Sequence, residues 1–280
     1  MRPPPLVSSF AERVAARVGD ADVAAFQRDG AVFIRGLLNA DELALLASGI
    51  ETNLAAPSPR AKIASRPDDP GFFIEDFCNW QEIDAYRRFI VDSPLALLAQ
   101  RLMGSRTVRL YHDHLLVKEP GTRQRTPWHQ DQPYYNIEGT QTVSMWIPVD
   151  PVPRAATLEF VAGSHLGPWL MPRTFMDNQA KWFPEGSLKD LPAIESNRAA
   201  PRIRSSAGMW NPATLSASTC SRCTRPRASP ARTAGACSRC AFSATMCGTH
   251  RARGSRRRRS RGWQTNCRRV PKWTTRCSRS

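Results

Sequence analysis

Pro127-Trp-His-Gln-Asp131, continued by Gln132-Pro-Tyr-Tyr-Asn-Ile-Glu-Gly139, is the stretch on which the reading of this chain turns. His129 and Asp131 are two positions apart. On a β-strand, i and i+2 project from the same face, so an imidazole nitrogen and a carboxylate oxygen can converge on one metal ion. With one more histidine from a distant strand, such a pair makes the two-histidine, one-carboxylate face of non-haem Fe(II) oxygenases, whose remaining positions stay open. Alone, the pair also reads as an ordinary polar strand end.

Working outward, the neighbourhood has strand texture. Thr107-Val-Arg-Leu-Tyr-His-Asp-His-Leu-Leu-Val117 precedes the motif, and Thr142-Val-Ser-Met-Trp-Ile-Pro-Val149 and Thr157-Leu-Glu-Phe-Val161 follow it. Asp150-Pro-Val-Pro-Arg154 and Ala162-Gly-Ser164 punctuate them. Upstream the texture is helical. Asn39-Ala-Asp-Glu42 is a capping-box pattern followed by Leu43, Leu45, Leu46 and Ile50, which predicts a helix over about 40–54. Ser93-Pro94 starts another, with Leu95, Leu97, Leu98 and Leu102 on its apolar side and Gly104 as its stop. A further helix is expected near 81–90, and the Pro-, Ser- and Arg-rich segment 55–75 reads as a surface loop. Helices first and strands after indicate an α+β domain whose site lies in a β-sandwich or barrel.

These blocks together resemble the phytanoyl-CoA dioxygenase family of Fe(II)/2-oxoglutarate-dependent oxygenases. The resemblance starts near Phe26 in DVAAFQRDGAVFIRGLL, passes through YHDHLLVKEPG, WHQDQPYYNIEG, SMWIPVDPVP and LEFVAGSH, and ends near Arg204. It implies a double-stranded β-helix (jelly roll) with N-terminal flanking helices, incomplete at the C-terminus. It also implies Fe(II), 2-oxoglutarate and O2 as cofactor and cosubstrates, and hydroxylation of a small organic or acyl substrate. By resemblance, His129 and Asp131 are the metal and catalytic pair. Trp146 and His114 fall where the family places side chains beside 2-oxoglutarate. Each also has a structural reading: Trp146 as inward strand packing, His112 and His114 as buried polar residues of one strand face, Tyr134 and Tyr135 as pocket lining or turn, Lys118 as a strand-end charge, His165 as a turn residue. Arg154-Ala-Ala-Thr157 stands where relatives have a Gly-containing turn, so that loop differs. The family also has a second iron histidine after an E-P-G-D-like turn, and an arginine beyond it for 2-oxoglutarate. Neither is found; after Arg204 there is only His250, in a different context.

The reason lies in the composition. The chain of 280 residues has a net charge of +16, which taken whole suggests a nucleic-acid-binding protein. Residues 1–206, however, hold all 24 acids with 23 bases, whereas 207–280 hold 17 bases, no acid and seven of the eight cysteines. The tail has one Leu, one Val, one Phe and no Ile, too few to offset roughly 1–2 kcal/mol of backbone entropy per ordered residue. The expected division is therefore a truncated oxygenase-like domain over 1–206 and a tail over 207–280 without packed structure.

We read the tail as a shifted reading frame. If each codon starts at the third base of the printed one, Ala207 to Thr214 can encode WDVEPGD, with Val-Glu forced by the single codons of Met209 and Trp210. The bases of Ser216 to Thr224 can then encode FHMLTLH, and the codon overlapping Ala234 and Gly235 permits Arg. The shift corresponds to a net loss of one base, or gain of two, near Ser205–Ser206. The competing reading is a genuine basic zinc or nucleic-acid-binding tail, from Cys220-Ser-Arg-Cys223, Cys237-Ser-Arg-Cys240 and Arg251-Ala-Arg-Gly-Ser-Arg-Arg-Arg-Arg259. GC-rich DNA read out of frame yields the same Arg, Ser, Ala and Cys, so nucleic acid is not the expected partner. A non-catalytic small-molecule-binding jelly roll is the other alternative. With no secretory signal, no apolar run long enough to span a membrane, and one cysteine before 207, a cytoplasmic, membrane-free protein with a small-molecule substrate is expected.

Overall fold

The computed structural model describes residues 5–124, 126–153, 156–175, 178–194, 196, 202–203, 214–219, 223–226 and 239–248. In chain order the elements are α1 (Pro5–Arg17), α2 (Asp20–Asp29), β1 (Ala31–Arg35), α3 (Ala40–Ala55), β2 (Lys62–Ile63), β3 (Phe73–Phe77), α4 (Asp84–Val91), α5 (Leu95–Met103), β4 (Arg109–Lys118) and β5 (His129–Gln130). Then follow β6 (Thr142–Pro148), β7 (Leu158–Val161), β8 (Arg202–Ile203), β9 (Thr214–Ser218), β10 (Cys223–Pro226) and β11 (Arg239–Cys247). A seven-stranded sheet runs β1-β9-β6-β11-β4-β3-β2, and a four-stranded sheet runs β5-β10-β7-β8. Every pair is antiparallel.

Period-2 alternation divides the large sheet into two faces. Ile74, Leu115, Val117, Val143, Met145, Ile147, Leu215, Ala217, Phe242, Ala244 and Met246 join Leu46, Tyr86, Phe89, Leu95 and Leu98 from the helices in one core. The other face is more polar. There the Ser144 and Ser243 hydroxyls are 3.1 Å apart, and Thr245 donates to Ser144 at 3.3 Å. His112 and His114 share that face, with Thr245 and Ser243 as their register partners on β11.

The helices follow their local signals. Asn39 Oδ1 accepts from the Glu42 amide and Glu42 answers the Asn39 amide, both at 2.8 Å, so the capping box forms as expected and α3 starts after it. Arg13 of α1 clamps the same Glu42 at 2.7 Å. α5 ends at Gly104, whose φ of 60° is the left-handed conformation a glycine takes without strain. α3 and α4 approach closely because residue 49 is glycine: a Cβ there would meet the Tyr86 ring at 2.6 Å.

Two expectations are corrected. The segment 55–75 is not all loop, since β2 and the start of β3 lie in it. The expectation that nothing packs after 206 fails for β9 and β11, and β10 pairs with β5 and β7. β11 sits between β4 and β6, with Phe242, Ala244 and Met246 at most 2 % exposed. A strand inserted between two existing strands needs no core of its own. Alternating Phe, Ala and Met on one side is enough, because neighbours already supply the apolar surface. His250 and the run 251–259 lie outside the described residues. Among the described residues, no helix is long and apolar enough to cross a membrane.

Candidate active site

β2, β3, β4 and β5, with the loop after β7, enclose a cavity of about 590 Å³. β3 contributes Phe73, Glu75 and Phe77, β4 contributes Tyr111, His112 and His114, and β5 brings His129 with Asp131 just beyond it. The loop contributes Arg173, Phe175, Lys181 and Trp182.

His129 and Asp131 come together: Nε2 lies 3.3 Å from Oδ1. His129 Nδ1 is 2.9 Å from the Pro127 carbonyl. A proton on Nδ1 is donated there, which leaves the Nε2 lone pair directed to the side where Asp131 stands. Burial works against the charged imidazole, but the Asp131 carboxylate and the Pro127 carbonyl outweigh it and hold the His129 pKa above its ordinary value. Two donors converging in this way suit one metal ion. The third does not appear: among the described residues, no group of three His, Cys, Asp or Glu side chains can hold a metal. The strand beside β5 is β10, and its register sets Thr224 opposite His129. The residues present therefore fit two vertices of an iron site and not the third.

His114 lies on the cavity wall, stacked on Phe77 with ring centroids 4.0 Å apart. Burial pushes its pKa well below the ordinary value, helped by the nearby His112 and His129. Burial also lowers His112 to about 4, so both rings are neutral near pH 7. Trp146 is not brought to the cavity; it packs with Phe33 against Val152 and Ala156. Tyr134 and Tyr135 do line the cavity, and the Tyr134 hydroxyl donates to the Arg173 carbonyl at 2.7 Å and accepts from its amide at 3.0 Å. Lys118 at the end of β4 donates to the Gln124 carbonyl. His165 sits in the turn Ser164–Leu166, 3.0 Å from the Gln27 carbonyl and away from the cavity. Cys223 and Cys240, the second members of the two CxxC pairs, fall in different sheets, on β10 and β11. Their partners Cys220 and Cys237 are outside the described residues.

Sequence reasoning missed the β2–β3 wall and the 173–182 loop. A signal existed for the first: Phe73, Glu75 and Phe77 alternate with Ile74 and Asp76, the period of a half-buried strand. The second carries no local pattern.

The phytanoyl-CoA dioxygenase (PhyH) profile matches residues 26–217. No curated protein matches the chain. Among solved structures, the non-heme alpha ketoglutarate dependent carbocyclase SnoK from nogalamycin biosynthesis superposes with a TM-score of 0.63 at 20% identity, covering 84% of this chain and 85% of that one. The epimerase SnoN, in complex with Fe3+, alpha ketoglutarate and nogalamycin RO, gives 0.61 at 22% identity, covering 82% and 83%. EctD from S. alaskensis, with 2-oxoglutarate and 5-hydroxyectoine, gives 0.61 at 20% identity, covering 82% and 76%. These likenesses give the fold, a jelly roll with flanking helices, and the profile, which spans more than half of the chain, gives the family: this chain belongs to the phytanoyl-CoA dioxygenase (PhyH) family.

Proposed function

We propose that the protein is an Fe(II)/2-oxoglutarate-dependent dioxygenase that hydroxylates a small organic or acyl substrate, and that the chain as written is not competent because the third iron ligand is absent. The observation that carries this is the His129–Asp131 pair facing a cavity with Thr224 in register across from it. Iron held there would activate O2 with 2-oxoglutarate as cosubstrate. This chain's own part is to fix the His129 tautomer through the Pro127 carbonyl and to keep water out with Phe175, Tyr134 and Tyr135. SnoN and EctD, which share the fold, have structures with iron or with 2-oxoglutarate, in keeping with that assignment.

The shifted frame bears on the missing vertex. The codon made from the last base of Cys223 and the first two of Thr224 reads TAC or CAC, Tyr or His. With one base restored near Ser205–Ser206, that codon becomes position 224. The strand register supports this reading, since it sets position 224 opposite His129. The experiment compares iron content and 2-oxoglutarate-dependent succinate release for the printed chain and a base-restored chain. Iron near one per chain and succinate release only after restoration is the expected result. Equal activity in both overturns the reading. A second reading is favoured by the cavity combined with the incomplete ligand set: the printed chain as a small-molecule-binding jelly roll without turnover. It requires ligand binding by the printed chain and no succinate release from either.

A further inference from the structure

We propose that Lys181, with Lys62 at the cavity mouth, forms a carboxylate-binding subsite that anchors an organic acid with its apolar body laid toward His129. This deepens the proposed function by naming the substrate class, and it rests on that reading only in calling the bound acid a substrate.

Lys181 lines the cavity and is half-buried. Its ammonium lies 5.5 Å from the centroid of Tyr134 and 5.3 Å from that of Trp182, two ring faces that hold a cation in place without neutralising it. Among the described residues, no carboxylate lies within ion-pairing distance of it. Burial, with repulsion from Lys62, lowers its pKa, so the site gains from a bound anion. Lys62 and Glu75 are register partners on β2 and β3 and both line the cavity. Glu75 is the one carboxylate on this wall, with Lys62, Lys118 and Lys181 all acting on it electrostatically. Burial raises its pKa, against the opposing pull of Lys62, His129, Lys181 and Lys118. At this end of the cavity Lys62 and Lys181 stand against Glu75, with Asp131 at the His129 end, and two ammoniums against one carboxyl favour an anion over an amine.

The geometry also supplies a path for the rest of the ligand. Phe175 shares the loop with Lys181, and its ring is 4.9 Å from His129 and 6.0 Å from Tyr134. Phe73 and Phe77 face the same space from β3. An acid held at Lys181 therefore has an aromatic track to the His129–Asp131 end. The carboxylate has two possible sources, a substrate acid or 2-oxoglutarate itself, and the probes separate them.

The test is calorimetric titration of the full printed chain in EDTA, so that iron plays no part. The probes are hexanoate, hexanamide, hexylammonium and 2-oxoglutarate. Hexanoate is expected to bind at least about tenfold tighter than hexanamide, the scale of one charge-assisted hydrogen bond in a partly dry site. Lys181→Met should erase that preference, while Lys189→Met, an exposed lysine further along the loop, should keep it. A folded Lys181→Met chain is verified by its circular dichroism; Lys181→Arg keeps the charge and should retain most of the preference, which excludes a merely structural loss. Binding of 2-oxoglutarate but not hexanoate, with the same Lys181 dependence, assigns the subsite to the cosubstrate's carboxylate. Equal affinity for hexanoate and hexanamide, or tighter binding of hexylammonium, overturns the proposal. Failure of the iron experiment leaves this result untouched, and the reverse also holds.

Discussion

The two sheets face one cavity but are built on different terms. In the seven-stranded sheet, β4 and β11 pair over nine registered positions, and one face packs against helices. In the four-stranded sheet, β5 and β10 share two paired positions, His129 with Thr224 and Gln130 with Cys223. His129 thus sits in the smaller sheet, while the Phe73, Glu75 and Phe77 wall of the cavity belongs to the larger one. Substitutions in the larger sheet are therefore expected to change stability, and those at the His129–Asp131 end to change turnover.

The sharpest break of that contrast comes from Asp131→Ala in the base-restored chain. Succinate release should fall to background, with the melting temperature little changed; full turnover would exclude Asp131 as a ligand. On the other sheet, Phe242→Ala removes a fully buried ring that packs 4.7 Å from Tyr86 and 6.0 Å from Phe89. A loss of about 3–5 kcal/mol in urea unfolding is expected. A loss under about 1 kcal/mol would show that β11 does not occupy the centre of the sheet.

A gentler probe is pH. Burial raises Asp113 on β4 to about 6, although its carboxylate accepts from the Asn79 and Trp80 amides at 3.0 and 3.3 Å. An acid whose folded pKa is raised costs nothing below its unfolded value near 4, where it is protonated in both states. The cost grows as pH climbs from about 4 to about 6 and is then constant, on the order of 1–3 kcal/mol. Urea midpoints at pH 4.5 and pH 7 should therefore fall more in the native chain than in Asp113→Asn. The same fall in both would remove Asp113 as the cause. The smallest effect is expected for His165→Ala, which loses one exposed contact to the Gln27 carbonyl. About 1 kcal/mol or less of stability should go, with succinate release by the base-restored chain retained.

How far the sequence could be read varied with how local the cause was. The Asn39–Glu42 box and the Leu43 to Ile50 spacing announce α3, observed as Ala40–Ala55, because cap and stripe are written within one helix. β4, β6 and β7 announce themselves by β-branched and aromatic residues, and His129-x-Asp131 by its spacing. β9 and β11 did not, because counting large aliphatics ignores what neighbours supply: Ala217 and Ala244 are fully buried without being large. The cavity's far wall was hidden for a related reason. Lys62 reads as a solvated charge until β3 pairs with it, and Lys181 gains meaning only from the rings of Tyr134 and Trp182. Trp146 packs with Phe33 against Val152 and Ala156, the inward strand packing of its structural reading.

The loop that carries Lys181 is tied by backbone bonds, such as Lys181 N–H to the Pro172 carbonyl and Met171 N–H to the Lys189 carbonyl, and by one charged side chain. Arg173 donates to Glu185 at 2.6 and 3.1 Å, to Asp190 at 2.6 and 3.1 Å and to the Asn178 carbonyl at 3.0 Å. Those pins divide one long excursion into short ones, each with a smaller closure entropy. Glu185 and Asp190 are exposed, so the pins lie within reach of dissolved ions, whose screening length falls from about 10 Å at 0.1 M to about 3 Å at 1 M. Concentrated salt is therefore expected to weaken the Arg173 pins, while the backbone bonds of the loop and the apolar seams of the large sheet, indifferent to screening, keep their grip.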